Sequence, residues 1–422
     1  MRNIETWSYP ETLDRDKWLI ATYFVDLPPS VSLVDGAHGM GIAQTTGSWV
    51  QLPDDMMEIV ESYNGRFEGI YRIPPAELKA NPDEKVACMM RIAYPAHIFN
   101  NDLATMLTIT LSNELSTSQE IKLLDLQFPS KFLDHLPGPR FGVQGIRDKL
   151  GVHDRPLLLN VIKPCIGLPP EESAKLVYES AFAGIDFIKE DEKLSDDANS
   201  PIEKRVRANK AAIQRAEEAT GHKTLYIANI SSRISKLKDN AFRARDAGAD
   251  ILLVNFVGVG LTALQMLAED TDLNMPLLTH FNLAQIWYES PNLGISSFLI
   301  LGKLPRLAGA DLVVQLIPYG KYTISLDSFL MYTRALTMPF LGIKPAMPVV
   351  GGGSHPRLVP RIVKDLGIDF VAGVGGAIQA HPQGTIAGVR AMRQALEAAV
   401  QDIPLDIYAS EHPELLAALE KW

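Results

Sequence analysis

Eight short apolar runs follow residue 150, separated by helix-like stretches. Runs that are apolar at almost every position are expected of parallel strands buried on both faces. Several intervening stretches end in glycine, which commonly terminates a helix. Eight strand–helix units predict a (β/α)8 barrel of the TIM type rather than an open doubly wound sheet. The runs occupy residues 156–163, 185–191, 224–230, 250–256, 276–281, 311–316, 346–352 and 369–375.

The first 140 residues lack this regular alternation. Segments rich in β-branched and aromatic residues predict strands at 17–25, 66–73 and 84–94. A Pro- and Gly-rich segment at 128–142 is typical of a domain boundary. We therefore expect an α/β protein with three parts. They are an N-terminal α+β (ferredoxin-like) domain at 1–140, the barrel at 150–402 and a C-terminal helical tail at 403–422.

Charge and cysteine content exclude several classes of protein. The formal net charge is -10 and no basic block offsets it, which argues against nucleic-acid or acidic-membrane partners. Two cysteines, Cys88 and Cys165, are too few for a disulfide scaffold and suit the cytosol. There is neither an apolar signal core nor an uncharged run of about 18 residues. The sequence predicts a cytoplasmic enzyme.

Polar residues collect at the C-terminal ends of the predicted strands, where barrel enzymes have their active sites. Asp191 and Glu192 directly follow the second strand and could hold Mg²⁺, which prefers oxygen ligands. Lys189 beside them would repel a cation unless it pairs with a carboxylate or is modified into an oxygen ligand. A solvated run of charges is the alternative interpretation. The position after a buried strand favours a metal site.

Other strand ends carry residues suited to phosphate binding and proton transfer. Glycine clusters at 351–353 and 373–376 fit the phosphate site that barrels often form after strands 7 and 8. Lys163, at the end of the first strand, could carry a proton if burial or nearby positive charge lowered its pKa. An exposed loop lysine is the alternative. His280 closes the fifth strand, and such a histidine alone would more often be structural.

Combined, these motifs resemble the large subunit of RuBisCO. GIDFIKEDE (184–192) resembles the signature around its carbamylated lysine, and VIKPCIGL (161–168) its first-strand lysine motif. The similarity is colinear and spans nearly the whole chain. Further matching segments are WLIATYFVDLP (18–28), TTGSW (45–49), LTITLSN (107–113), GPRFGVQGIRDKLGVHDRPLL (138–158), MPVVGGGSH (347–355) and GVGGAIQAHPQG (373–384).

The resemblance implies specific roles. CO2 would carbamylate Lys189, and the carbamate would bind Mg²⁺ together with Asp191 and Glu192. Lys163 would transfer protons and His280 would lie near substrate hydroxyls. Asn113 would reach the active site of a neighbouring subunit, which implies a homodimer or larger homo-oligomer with shared active sites. The residues implied in phosphate binding are Ser48, Lys321, Gly352, Gly353, Gly375 and Gly376.

The chain also departs from the carboxylating members of that family. The departures are Ala43 for a glutamate, Cys165 for a lysine, Phe281 for an arginine, Val314 for a histidine and Gly351 for a serine. The last three positions serve one of the two phosphates of a bisphosphate substrate. A buried phosphate without such partners would be poorly solvated. We therefore expect a substrate with one phosphate and a smaller or less polar group at its other end.

The retained residues predict Mg²⁺-dependent formation of an enolate or enediolate from a phosphorylated keto-sugar or keto-sugar acid. The leading hypothesis is a 3-oxo-isoapionate 4-phosphate decarboxylase or transcarboxylase, because KPCIGL keeps the proline of carboxylating members. The alternative is a methionine-salvage enolase or isomerase. A true carboxylase is a weaker hypothesis. A non-catalytic sugar-phosphate sensor is the weakest, because the metal and proton-transfer residues are retained.

Overall fold

Eight parallel strands close into a barrel, as the sequence predicts. The computed structural model describes residues 6–47, 53–75, 85–113 and 120–422. Contacts divide the chain into two units, Met1–Leu136 with Leu283–Ile300 and Pro137–Asn282 with Leu301–Trp422. This division is based on contacts within the chain. The domain limits 1–140, 150–402 and 403–422 remain predictions from the sequence.

The N-terminal unit is built on a mixed five-stranded sheet, in line with the expected α+β class. Strands and helices are numbered in chain order. The strands are β1 Trp18–Leu27, β2 Arg66–Arg72, β3 Val86–Pro95, β4 Glu120–Gln127 and β10 Gly294–Ile295. Their order is β10-β4-β1-β3-β2, and β10 pairs in parallel with β4 while the other pairs are antiparallel. The helices are α1 Leu33–Ala43, α2 Met57–Tyr63, α3 Leu103–Thr110, α4 Ser130–Leu133 and α11 Gln285–Tyr288.

The second unit contains the barrel. Its strands are β5 Leu157–Val161, β6 Phe187–Lys189, β7 Leu225–Asn229, β8 Ile251–Val254, β9 Leu277–Thr279, β11 Leu312–Leu316, β12 Met347–Gly351 and β13 Val371–Val374. The ring closes where β13 pairs with β5. Its helices are α5 Gly142–Leu150, α6 Pro170–Phe182, α7 Ile202–Thr220, α8 Ile234–Asp246, α9 Phe256–Val259, α10 Leu261–Glu269, α12 Leu304–Leu307, α13 Leu326–Thr337, α14 Val359–Leu366, α15 Gly376–Gln379, α16 Thr385–Val400, α17 Leu405–Ala409 and α18 Pro413–Lys421.

Both faces of the barrel strands are buried, which explains the unbroken apolar runs. Leu157 and Leu159 belong to the central core cluster, together with equivalent alternate residues of the other strands. Leu158, between them, is buried as well. Val143, Ile146 and Leu150 of α5 also pack into this cluster. The core therefore occupies the barrel interior and leaves the C-terminal strand ends for polar residues.

Among the described residues, no helix combines the length and apolar character needed to cross a membrane.

Candidate active site

The C-terminal ends of the barrel strands surround a cavity of about 770 Å³. Parallel strands in a closed barrel place these ends on one rim, so residues distant in sequence meet there. Most of the predicted site residues line this cavity. They are Lys163, Lys189, Asp191, Glu192, His280, Lys321, Gly352, Gly353, Gly375 and Gly376.

Two amines and two carboxylates form the charged centre of the cavity. Lys189 ends the fully buried strand β6 and is 2% exposed. Its Nζ donates to Glu192 Oε2 at 3.1 Å and to the Glu190 carbonyl oxygen at 2.9 Å. Lys163 Nζ lies 2.7 Å from Asp191 Oδ2. The charged run is therefore folded inward and is not a solvated surface patch.

Burial changes the proton affinity of Lys189. Removal from water lowers the pKa of its amine below the ordinary value, although the charges of Glu192 and Asp191 oppose this effect. The Glu192 carboxyl is also buried, which raises its pKa, but the charge of Lys189 outweighs that burial and the pKa lies below the ordinary value. A lowered lysine pKa increases the neutral fraction of the amine, which is the form that reacts with CO2.

His280 is neutral in this environment. Burial, reinforced by the nearby charge of Lys189, lowers its pKa to about 3. Its Nδ1 accepts a hydrogen bond from the Asn282 backbone N–H at 3.2 Å. The proton of the neutral ring is therefore assigned to Nε2, which lies 3.4 Å from Glu192 Oε2. His280 thus presents an N–H donor beside the carboxylates.

Lys163 differs from the sequence-based expectation. Partial burial lowers its pKa, but hydrogen bonding to Asp191 outweighs burial and the pKa lies above the ordinary value. The lowered pKa that would make Lys163 a ready base is therefore absent here. Asp191 is the complementary partner: burial raises its pKa, but bonds from Cys165 and Lys163 hold it at about 2. Cys165 Sγ lies 2.8 Å from Lys163 Nζ.

A buried ionic network fixes the strand end behind these residues. Glu190 points away from the cavity and accepts hydrogen bonds from Arg205 Nε at 2.8 Å and Tyr226 Oη at 2.6 Å. It also accepts the Asn229 backbone N–H at 2.7 Å. No sequence motif assigned a role to Arg205. Its position among the mostly apolar residues of the buried face of α7 was the available signal.

Close backbone packing shapes the glycine end of the cavity. The Lys321 backbone N–H donates to the Gly352 carbonyl oxygen at 2.7 Å. Gly353 has φ +100°, and a Cβ there would lie 2.7 Å from the Lys321 nitrogen. Only glycine allows this approach. The contact brings Lys321 beside the turn that follows β12, so a cation and glycine backbone lie together.

The substituted positions form an uncharged part of the cavity lining. Phe281 stacks on His280 with ring centroids 4.4 Å apart, and Val314 belongs to the barrel core cluster. A Cβ at Gly351 would lie 2.8 Å from the Gly373 carbonyl oxygen, so this backbone does not accept a serine. The structure therefore offers neither cation nor hydroxyl at these three positions.

Of the remaining predicted site residues, the structure describes Asn113 but not Ser48. Asn113 belongs to the N-terminal unit, after α3, and is exposed. Ser48 lies outside the described residues. Ala43, which replaces the glutamate of carboxylating members, is the last residue of α1.

The charged centre fits Mg²⁺ under one condition. Asp191 and Glu192 provide two of the oxygen ligands that Mg²⁺ prefers. Among the described residues, no three His, Cys, Asp or Glu side chains come together as a metal site. A carbamate on Lys189 would add an oxygen ligand beside Glu192 and remove an ammonium charge. The side chains therefore fit the metal when Lys189 is carbamylated.

Comparisons with known protein families agree with this architecture. Residues 142–422 match the family model for the ribulose bisphosphate carboxylase large chain, catalytic domain. Residues 9–132 match the model for its N-terminal domain. The chain belongs to the RuBisCO large-chain family. It is therefore an enzyme of the RuBisCO superfamily, and the resemblance inferred from its motifs is confirmed.

Individual relatives refine this placement. A ribulose bisphosphate carboxylase-like protein of Archaeoglobus fulgidus is 41% identical over 415 residues, covering 97% of this chain and 95% of the relative. A 2,3-diketo-5-methylthiopentyl-1-phosphate enolase of Geobacillus kaustophilus is 38% identical over 406 residues, with coverage of 96% and 98%. The solved octameric ribulose-1,5-bisphosphate carboxylase/oxygenase of Pyrococcus horikoshii has a TM-score of 0.89 at 29% identity, with coverage of 99% and 96%. The RuBisCO-like expectation is thus confirmed.

Proposed function

We propose that this RuBisCO-like chain is an enolase acting on a diketone with a single phosphate, such as 2,3-diketo-5-methylthiopentyl-1-phosphate. One observation carries the proposal. The cavity keeps the charged centre and the glycine turns, but Phe281, Val314 and Gly351 leave part of its lining without charge. The named enolase of Geobacillus kaustophilus supports this alternative over the decarboxylase that the KPCIGL motif favoured.

The substrate named for that relative matches the two kinds of cavity lining. Its phosphate dianion needs cations and N–H donors, which Lys321 and the glycine turns can supply. Its methylthio end is apolar and polarisable and packs well against aromatic rings. Phe281, stacked on His280, offers such a ring next to the charged centre. One phosphate and one apolar end therefore suit this cavity better than two phosphates.

Mg²⁺ would be held by carbamylated Lys189, Asp191 and Glu192. When bound, the ion would polarise the keto oxygens of the substrate and stabilise negative charge in the enolate. The lowered pKa of Lys189 supports carbamylation, because the neutral amine attacks CO2. The two carboxylates of Asp191 and Glu192, which line the cavity together with Lys189, support metal binding.

Enolisation moves one proton from carbon to oxygen without loss of any other group. Lys163 is the proposed proton carrier. Because hydrogen bonding to Asp191 raises its pKa, Nζ holds a proton that it can deliver to the enolate oxygen. A carbamate on Lys189 would be the base that takes the proton from carbon, so that one proton leaves carbon as one reaches oxygen. Neutral His280 can donate its Nε2–H to a substrate oxygen near Glu192.

We propose a homodimer or larger homo-oligomer in which subunits share active sites. By the family resemblance, Asn113 would reach the active site of a neighbouring subunit. The octameric Pyrococcus horikoshii relative supports assembly in general. Mixing two inactive variants, Asn113→Ala and Lys189→Ala, should restore activity, because a mixed dimer would contain one site with both residues intact. No recovery after exchange of subunits would contradict shared sites.

The enolase proposal is tested with purified protein, Mg²⁺, bicarbonate and 2,3-diketo-5-methylthiopentyl-1-phosphate. Proton and phosphorus NMR should show conversion to the enol with the phosphate ester intact. Lys189→Ala should abolish conversion, whereas Lys175→Ala, which changes an exposed lysine of α6, should not. If the protein binds Mg²⁺ in the presence of bicarbonate but leaves the diketone unchanged, this function is excluded.

The decarboxylase remains the second candidate, because Pro164 retains the proline of carboxylating members. The same NMR experiment separates the candidates when 3-oxo-isoapionate 4-phosphate carries a ¹³C-labelled carboxyl group. Release of labelled bicarbonate would identify a decarboxylase. Methylthioribulose 1-phosphate is tested in parallel, and its conversion to an isomer would identify an isomerase.

A further inference from the structure

One buried hydroxyl on the barrel rim has no hydrogen-bond partner in the described part of the chain. Ser354 follows the glycine turn after β12, lines the cavity and is only 4% exposed. Its Oγ has no hydrogen-bond partner among the residues that the structure describes. Buried polar groups in native proteins almost always have partners, and exceptions mark strain, function or a bound molecule. The cavity next to Ser354 is where such a molecule would lie.

The surroundings of Ser354 close this side of the cavity. His355 Nδ1 is also buried without a partner in the described part of the chain. The Trp422 ring stacks on the His355 ring, with centroids 6.3 Å apart and planes at 17°. Lys421 and Trp422 are themselves cavity-lining residues. Residues far apart in sequence thus line the same cavity as Ser354.

The charges near this wall favour an anion. Lys321 lies beside the turn that carries Gly353, as its backbone bond to Gly352 shows. Lys421 Nζ donates to the carbonyl oxygen of Ala380, just after α15. The aspartate and glutamate of the described cavity lining are Asp191 and Glu192, and these pair with Lys163 and Lys189 instead. Lys321 and Lys421 therefore line the same cavity as Ser354 without pairing with either of these carboxylates, which favours an anionic ligand.

We propose that Ser354 is a substrate-binding residue whose hydroxyl donates a hydrogen bond to the substrate phosphate, with Lys421 and Trp422 closing the phosphate side of the cavity. This inference rests on the proposed function, which takes the anionic end of the substrate to be a phosphate ester. It adds three residues that the family resemblance does not assign to that end.

The test compares two variants that each remove an unpaired hydroxyl from the barrel. Ser354→Ala removes the hydroxyl in the cavity. Thr279→Val is the matched control, because Thr279 Oγ1 in β9 is also buried without a partner among the described residues, and Thr279 is not a cavity-lining residue. Inorganic phosphate is the probe. Calorimetry gives its dissociation constant, and thermal unfolding without ligand reports stability.

Ser354→Ala should bind phosphate about tenfold more weakly than the unmodified protein, as expected for loss of a hydrogen bond to a charged group. Thr279→Val should bind it unchanged. Neither variant should unfold at a lower temperature, since each loses a group without a partner. A separate Trp422→Ala variant should also weaken phosphate binding.

Equal phosphate affinity in Ser354→Ala and the unmodified protein would overturn the proposal. So would absence of phosphate binding by the unmodified protein, or equal losses in Ser354→Ala and Thr279→Val. The outcome is independent of turnover. If the diketone is not enolised but Ser354→Ala still loses phosphate affinity, the proposed function fails while the role of Ser354 stands.

Discussion

Replacing Glu190 by glutamine should destabilise the barrel unit strongly, although the two side chains have nearly the same shape. Glu190 Oε1 accepts from Arg205 Nε and Tyr226 Oη, while Oε2 accepts from Arg205 Nη2 and the Asn229 backbone N–H. The side-chain NH2 group of a glutamine would replace one of these two oxygens. Whichever oxygen it replaced, it would face an N–H donor of Arg205 instead of an acceptor. Arg205 would also remain buried without the carboxylate that pairs with it.

The magnitude follows from burial. The side chains of Glu190 and Arg205 are 3% and 1% exposed, and breaking such a buried pair costs about 3–5 kcal/mol. Glu172→Gln is the matched control. Glu172 lies 2.7 Å from Lys175, a similar separation, but these side chains are 53% and 68% exposed. Water screens that pair, so the control should lose less than about 1 kcal/mol.

Equilibrium urea unfolding followed by circular dichroism measures both losses. A second measurement addresses the site, because Glu190 lies between Lys189 and Asp191 and anchors that strand end. Carbamylation of Lys189, detected by NMR with ¹³C-labelled bicarbonate, should decrease in Glu190→Gln under conditions where the variant is still folded. If Glu190→Gln and Glu172→Gln lost similar amounts of unfolding free energy, burial would not be the reason why the Glu190–Arg205 pair contributes to stability.

Three further predictions concern metal binding, specificity and pH. Lys189→Ala should abolish bicarbonate-dependent Mg²⁺ binding measured by calorimetry, because two carboxylates alone provide too few oxygen ligands. Normal Mg²⁺ binding by this variant would disprove the metal assignment. Phe281→Arg should raise the KM for the methylthio substrate tenfold or more, because a guanidinium would replace the aromatic ring that stacks on His280. An unchanged KM would mean that the methylthio group does not bind at Phe281. Asp186 is fully buried, and although burial alone would raise its pKa, the charges of Arg393 and Arg155 hold that pKa below its ordinary value. Asp186→Asn should therefore be less stable in urea by about 3–5 kcal/mol at pH 7. Because the folded-state pKa is depressed, this difference should persist down to about pH 4 and shrink below it; a difference that does not depend on pH would show that the carboxylate charge is not its source.

Much of the fold could be predicted because its signals are local. A strand buried on both faces must be apolar throughout, so all eight barrel strands were visible as runs such as PLLLNVIK. The barrel rule then placed Lys189, Asp191 and Glu192 on one rim, because Lys189 ends β6 and the two carboxylates follow it. β4 and β10 were not predicted. β10 has only two residues and depends on pairing with β4, which no local pattern reveals.

Pairings between distant residues were decided by the tertiary structure. The sequence suggested that Lys163 could have a lowered pKa, yet Asp191, 28 residues away, lies at hydrogen-bond distance and raises it. The pairing of Arg205 with Glu190 was not predicted either, because the position of Arg205 among the apolar residues of α7 indicates burial but does not reveal its partner. Ser354 and Trp422 likewise line one cavity only because of the tertiary structure. The sequence determined which residue types stand at the strand ends, whereas proton affinities, unpaired hydroxyls and the walls of the cavity depend on distances that only packing fixes.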